Sequence, residues 1–248
     1  MPLHLSTNSW LILCVAGITI GLAKSGLSGL GIVAVLLFAE VFPARESTGM
    51  LLLSLVVGDC CSVIQFHRLA DWKQLRRVIL PAILGVLVGW WSLDHVTDAH
   101  LRPIMGYIIL ILVALQLLRK QLGVLIETSY HGHWFAWAMG GLGGWTTMMA
   151  NAAGPVMSLF FLAMKLPKFV FVGTSAWFFL GINLFKVPFS INLGLIHWDT
   201  LELALCLSPL IFLSVHFGRW LLNHISQNLF EIMILLFAFI GTIRLIWF

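Results

Sequence analysis

Two apolar stretches of this chain, Trp10 to Val41 and Trp134 to Leu166, are each too long for one membrane crossing, and each is interrupted near its middle by small and polar residues. The first interruption reads Lys24-Ser-Gly-Leu-Ser-Gly-Leu-Gly31 and the second Asn151-Ala-Ala-Gly-Pro155. A continuous helix of that length would run nearly ~50 Å against a hydrocarbon core of about 30 Å, so the chain must bend back or break. The stretches occupy corresponding places in the two halves of the sequence. Paired, broken hydrophobic segments point to the binding site of a secondary transporter, because a broken helix exposes backbone groups at mid-membrane depth.

Composition supports the membrane reading. With 60% hydrophobic and 10% charged residues, 11 Trp and a mean hydropathy of +1.00, polar surface is too scarce to cover a water-soluble core. An all-α polytopic membrane protein is expected, with no soluble domain appended. No Lys or Arg precedes the first apolar run, so that run is expected to stay in the mature protein rather than be cleaved. Cys14, Cys60, Cys61 and Cys206 lie inside apolar runs without zinc-ligand spacing to histidine and read as packing residues. His131 and His133 read as interfacial polar sequence beside Trp134. Neither a metal nor a cofactor is expected.

Outside the broken stretches, six ordinary spans are expected: Thr48 to Phe66, Val78 to Leu93, Leu101 to Leu118, Phe169 to Ser190, Thr200 to Leu222 and Leu229 to Phe248. Each half is then one broken stretch plus three spans. The halves also resemble each other in sequence. Pro43 matches Pro167 and Gly49 matches Gly173 at one offset; Trp72, Gly89 and His95 match Trp198, Gly218 and His224 after small insertions. This organisation gives a first repeat over 1–118, a cytoplasmic linker over 119–132 and a second repeat over 133–248.

Basic residues arbitrate the orientation. The loop holding Arg68, Lys73, Arg76 and Arg77 is the clearest cytoplasmic segment, and Arg119 and Lys120 fall on the same side two spans later. If the second broken stretch is a hairpin, Lys165, Lys168 and Arg219 join them, placing nine Lys or Arg inside and three (Arg45, Arg102, Arg244) outside. A single crossing gives seven to five. We therefore expect two inverted repeats, each a re-entrant helical hairpin plus three transmembrane helices, with both termini outside.

In such hairpins the second leg begins just after the break. Ser25 or Ser28 is suited to cap one leg, and Asn151 or Gly154, followed by Pro155, to start the other. Helix N-termini facing the bilayer centre present unpaired N–H groups and positive dipole ends, which attract a small anion. Gly-rich breaks also serve plain helix packing. Charges inside the membrane sharpen the choice, since a buried ionisable group is costly and persists where it works or is paired. Lys24 adjoins the first break. Lys186 lies in Gly181-Ile-Asn-Leu-Phe-Lys-Val-Pro188. Asp59 occupies the repeat position of Asn183, and two roles stay open for it: carrying a coupling proton or pairing with Lys24. Thr146, Thr147, Ser175 and Trp177 lie near the second break or on the following span and are further candidates to line the site. Trp10, Trp72, Trp90, Trp91, Trp198 and Trp247 read as interfacial anchors.

The two-repeat layout, the Gly-rich start of each repeat, Met149-Ala-Asn-Ala-Ala-Gly-Pro-Val156, Leu166-Pro-Lys168 and Gly173-Thr-Ser-Ala-Trp-Phe-Phe179 resemble the sulfite exporter TauE/SafE family of membrane permeases over nearly the whole chain. Gly26-Leu-Ser-Gly-Leu-Gly31 departs from the run of consecutive glycines often seen in that family. The resemblance implies movement of sulfite, thiosulfate or organosulfonates, usually outward across the bacterial cytoplasmic membrane. A sulfonate head offers three acceptor oxygens suited to backbone N–H groups, hydroxyls and a lysine. Alternating access at a site between the two breaks is the expected mechanism.

The same residues bear on other functions. A passive anion channel shares every feature. Gly26-Leu-Ser-Gly29 resembles the serine motif of rhomboid-type intramembrane proteases, but nothing links His216 to it as a base, so no enzyme is expected. The partners expected are a small anion and the lipid bilayer, with a homodimer left open. The net charge of +4 comes mainly from cytoplasmic loops and gives no ground for nucleic-acid binding.

Overall fold

The computed structural model describes residues 5–27, 29–118 and 133–224. Ser28, the expected linker 119–132 and the expected last span Leu229 to Phe248 lie outside the described residues. The rest is helical, with no strand among the described residues. The first half gives α1 (Thr7–Lys24), α2 (Leu30–Val41), α3 (Ala44–Phe66), α4 (Trp72–His95) and α5 (Asp98–Leu117). The second gives α6 (His133–Ala150), α7 (Gly154–Ala163), α8 (Lys168–Asn192) and α9 (Trp198–His224). Among the described residues α1, α3, α4, α8 and α9 are long and apolar enough to cross a membrane.

Both long stretches break where the small residues interrupt them. The first leg of each runs 18 residues, about 27 Å, while the second legs are 12 and 10 residues long. The second leg folds back on the first. Phe135, in the first turn of α6, lies 5.9 Å ring to ring from Phe160 in α7, and a Cβ on Gly143 would sit 2.9 Å from Met157 Sδ. A helix continuing onward would carry Phe160 far from Phe135. In the first half α2 likewise packs along α1.

Local sequence explains the element ends. Asp71 accepts from the Lys73 and Gln74 amides to start α4, and Ser6 accepts from the Ser9 amide to start α1. Pro43 and Pro167 stand in the same place, immediately before α3 and α8, with nearly identical backbone angles. Trp72 and Trp198 open α4 and α9, and His95 and His224 stand at their other ends. Pro43 and Pro167, Trp72 and Trp198, and His95 and His224 thus each stand at a helix end.

Without water between helices to drive association, close approach of small residues holds such bundles together. A Cβ on Gly144 would overlap the Ala82 carbonyl oxygen where α6 meets α4; in the other half a Cβ on Gly21 would overlap Ser214 and the Ile211 carbonyl where α1 meets α9. Apolar side chains that face outward, such as Leu11, Ile64, Trp91 and Leu213, suit contact with lipid tails.

The halves interlock through α3 and α8, which run antiparallel. Gly49, near the start of α3, abuts Leu195 just past the end of α8, while Gly173, near the start of α8, abuts Leu69 and Ala70 just past the end of α3. Basic residues gather at one end of the bundle. Arg77 reaches Met164 Sδ at 3.4 Å, and Arg219 sits 5.3 Å over the Phe66 ring, so the connections carrying Arg68, Lys165 and Lys168 share that end.

Candidate functional site

The two breaks are built by different residues with the same backbone result. Gly26 takes φ 114° after α1, and Asn151 takes φ 51° after α6. Left-handed backbone is open to glycine and, among other residues, most readily to Asn. Both end a helix in the way that satisfies its last carbonyls: Leu27 N donates to Leu22 O, and Ala152 N to Thr146 O.

A cavity of about 60 Å³ lies where the breaks meet. This exceeds the roughly 10–15 Å³ that one water requires. Lys24 and Asn151, the residues flanking the two interruptions, both line it. So do Gly31 in the first turn of α2 and Gly154 at the start of α7, which bring both second legs to the cavity. Thr147, Ser158, Ser175 and Asn183 add to the polar lining, and Leu55, Phe171 and Phe179 supply apolar wall.

A continuous polar network runs behind this wall. Lys24 Nζ pairs with Asp59 Oδ1 at 2.6 Å and lies 4.6 Å from the Phe179 ring centroid. The other carboxylate oxygen of Asp59 accepts from Asn183 Nδ2 at 2.7 Å. Lys186 donates to Thr147 O at 2.8 Å, Asn151 Oδ1 at 2.6 Å, Thr147 Oγ1 at 3.2 Å and Asn183 Oδ1 at 3.5 Å. Asn151 Nδ2 in turn donates to Thr48 O on α3 at 2.9 Å. Asp59 is wholly buried, Lys186 is 2% exposed, and the Lys24 side chain is 10% exposed. Two lysines and one aspartate are therefore held out of water by hydrogen bonds that bind α1, α3, α6 and α8 together.

The expected site residues divide clearly. Lys24, Thr147, Asn151, Ser175 and Asn183 line the cavity; Asp59 and Lys186 stand directly behind it. Ser25 turns its hydroxyl to Leu22 O, closing α1 rather than capping α2, and Thr146 binds Leu142 O within its own helix. Trp177 donates to His67 O and packs 5.3 Å from Trp72, away from the cavity. Gly29, which precedes α2, makes no side-chain cap bond.

Sequence reasoning missed Phe179, Ser158 and Ser62. Ser62 Oγ donates to Lys24 O at 2.7 Å and fixes the end of α1. Phe179 was signalled by spacing: Ser175, Phe179, Asn183 and Lys186 fall at steps of four, four and three, one face of a helix. The same spacing places Ser62 three residues after Asp59 and Ser158 four after Gly154.

A bundle of apolar helices, two of them broken around a buried charged cavity, defines a polytopic membrane protein of the transporter class. The family model for Sulfite exporter TauE/SafE matches residues 13–245, nearly the whole chain. The chain belongs to that family of membrane permeases. No curated protein matches the sequence closely enough to count as a relative.

Proposed function

We propose that the chain carries small sulfur-containing anions, of the sulfite, thiosulfate or organosulfonate class, across the bacterial cytoplasmic membrane. The anion sits in the cavity between the two broken helices, and alternating rearrangement of the halves opens that cavity to one face and then the other. The observation that carries this reading is the network joining Lys24, Asp59, Asn183, Lys186 and Asn151, which holds one lysine at the cavity and a second directly behind it in fixed places. Oxyanions are bound by such donors.

The repeats, 1–118 and 133–248, are read as inverted, with 119–132 as the cytoplasmic linker. Support comes from the antiparallel crossing of the equivalent helices α3 and α8 and from the fold-back of α7 on α6, which returns the second broken stretch to the side it started from. The end carrying Arg77, Lys165 and Arg219 is taken as cytoplasmic. Both termini then lie outside.

Uptake of radiolabelled sulfite, thiosulfate and methanesulfonate into liposomes holding the purified chain tests the reading. Flux above protein-free liposomes, saturable and without unitary currents, is expected of a carrier. Unitary currents would assign a channel instead, and no flux of any of the three from folded protein would overturn the assignment. Repeating the measurement under an imposed pH gradient shows whether a proton is coupled to the anion.

A further inference from the structure

The two lysines at the cavity are not equivalent in charge. Lys24 has a carboxylate partner, Asp59. Lys186 has only neutral ones among the described residues. Its protonation follows from the geometry of those partners. Asn151 Nδ2 is committed to Thr48 O, and Asn183 Nδ2 to the Asp59 carboxylate, so both amides must turn their oxygens to Lys186. Together with Thr147 O this makes three acceptor-only atoms around one nitrogen. Three acceptors match the three N–H bonds of an ammonium; a neutral amine would leave one facing its lone pair.

With Lys186 protonated to match these acceptors, the buried network holds two ammonium groups and one carboxylate, a surplus of one positive charge in a site almost closed to water. Neutral acceptors lower the cost of that charge without cancelling it. An anion with one negative charge, bound against Thr147, Asn151 and Asn183, cancels it. A dianion in the same cavity leaves one negative charge uncompensated at low dielectric.

Resting on the anion-permease reading above, we propose that the cavity selects monoanions over dianions and that Asp59 sets this limit by neutralising Lys24. The chemical class favoured is the singly charged oxyanion: an organosulfonate, or hydrogen sulfite. Fully ionised thiosulfate, with two charges, is disfavoured.

The test measures flux of methanesulfonate and thiosulfate at neutral pH by the full chain in liposomes, as wild type and as Asp59→Asn. The wild type is expected to favour methanesulfonate by about tenfold or more. Asp59→Asn raises the surplus to two positive charges at nearly constant shape, and is expected to move the ratio toward thiosulfate by about tenfold or more. A wild type that carries thiosulfate as well as methanesulfonate overturns the charge rule alone, as does an unmoved ratio in folded Asp59→Asn. A wild type that carries neither overturns the anion-permease reading, and the charge rule falls with it. Should Asp59→Asn not fold, the wild-type ratio still decides.

Discussion

The two breaks solve one backbone problem with different chemistry. After α1 the chain turns on Gly26, which has no side chain to offer, and the charge comes from Lys24 two residues earlier. After α6 it turns on Asn151, whose amide bridges Thr48 O and Lys186 while its backbone makes the turn. The partners across the bundle differ in the same way: α3 presents a carboxylate at position 59, and α8 presents an amide at 183 with a lysine at 186. Similar architecture in the two halves thus leaves one side of the cavity with an internally neutral pair and the other with an unneutralised cation. The lesson is that the fold requires only a residue tolerant of left-handed backbone at each break, so the remaining chemistry is free to diverge.

The largest effect should come from breaking the neutral pair. Lys24→Met leaves Asp59 buried without its cation and should cost about 3–5 kcal/mol, read as a large fall in thermal unfolding temperature in detergent. Adding Asp59→Leu should restore most of that stability; if the double variant is no more stable than the single, the pair is not acting as a unit.

The other side of the comparison should lose less stability. Lys186→Met removes a charge that no carboxylate balances, so its unfolding temperature should fall far less than that of Lys24→Met, while anion flux should drop about tenfold or more. Equal destabilisation by the two variants would erase the distinction drawn between the lysines.

Gly31→Ala sharpens the role of the second leg. A Cβ at Gly31 meets nothing within 4 Å and projects where the cavity lies, so the fold should tolerate it and α2 should gain up to about 1 kcal/mol. Flux should fall roughly threefold to tenfold because the added methyl takes up room needed by the substrate. Unchanged flux would place the anion elsewhere.

The smallest effect is expected at Trp177→Phe. It loses one exposed hydrogen bond to His67 O, about 0.5–1.5 kcal/mol, and should leave flux untouched because the indole faces away from the cavity. A flux defect there, in a folded variant, would bring Trp177 back toward the site.

Much of the site was legible in one dimension and some was misread for a simple geometric reason. Lys24, Asn151, Ser175, Asn183 and Lys186 were marked by position beside a break or by charge and polarity inside an apolar span, and all lie at the cavity or directly behind it. Neighbours in sequence were grouped with them too generously. Successive helix residues point about 100° apart, so Thr147 lines the cavity while Thr146 turns back onto Leu142 O, and Trp177, two residues from Ser175, emerges beside Trp72. Phe179 shares the Ser175 and Asn183 face, a placement that helical spacing alone shows.

The sequence by itself determined the class of protein and the location of its breaks. Both follow from sums along the chain: too little polar surface for a soluble core, and apolar stretches longer than the bilayer interrupted by residues that poorly sustain a helix. Only the tertiary structure decided which charge meets which partner. Asp59 and Asn183 stand 124 residues apart and touch because α3 and α8 cross there, and Lys186 finds Asn151 because α8 packs beside the end of α6. Hydropathy is a local sum, but neutralisation depends on a few ångströms between helices distant in the chain, and that distance is set by packing.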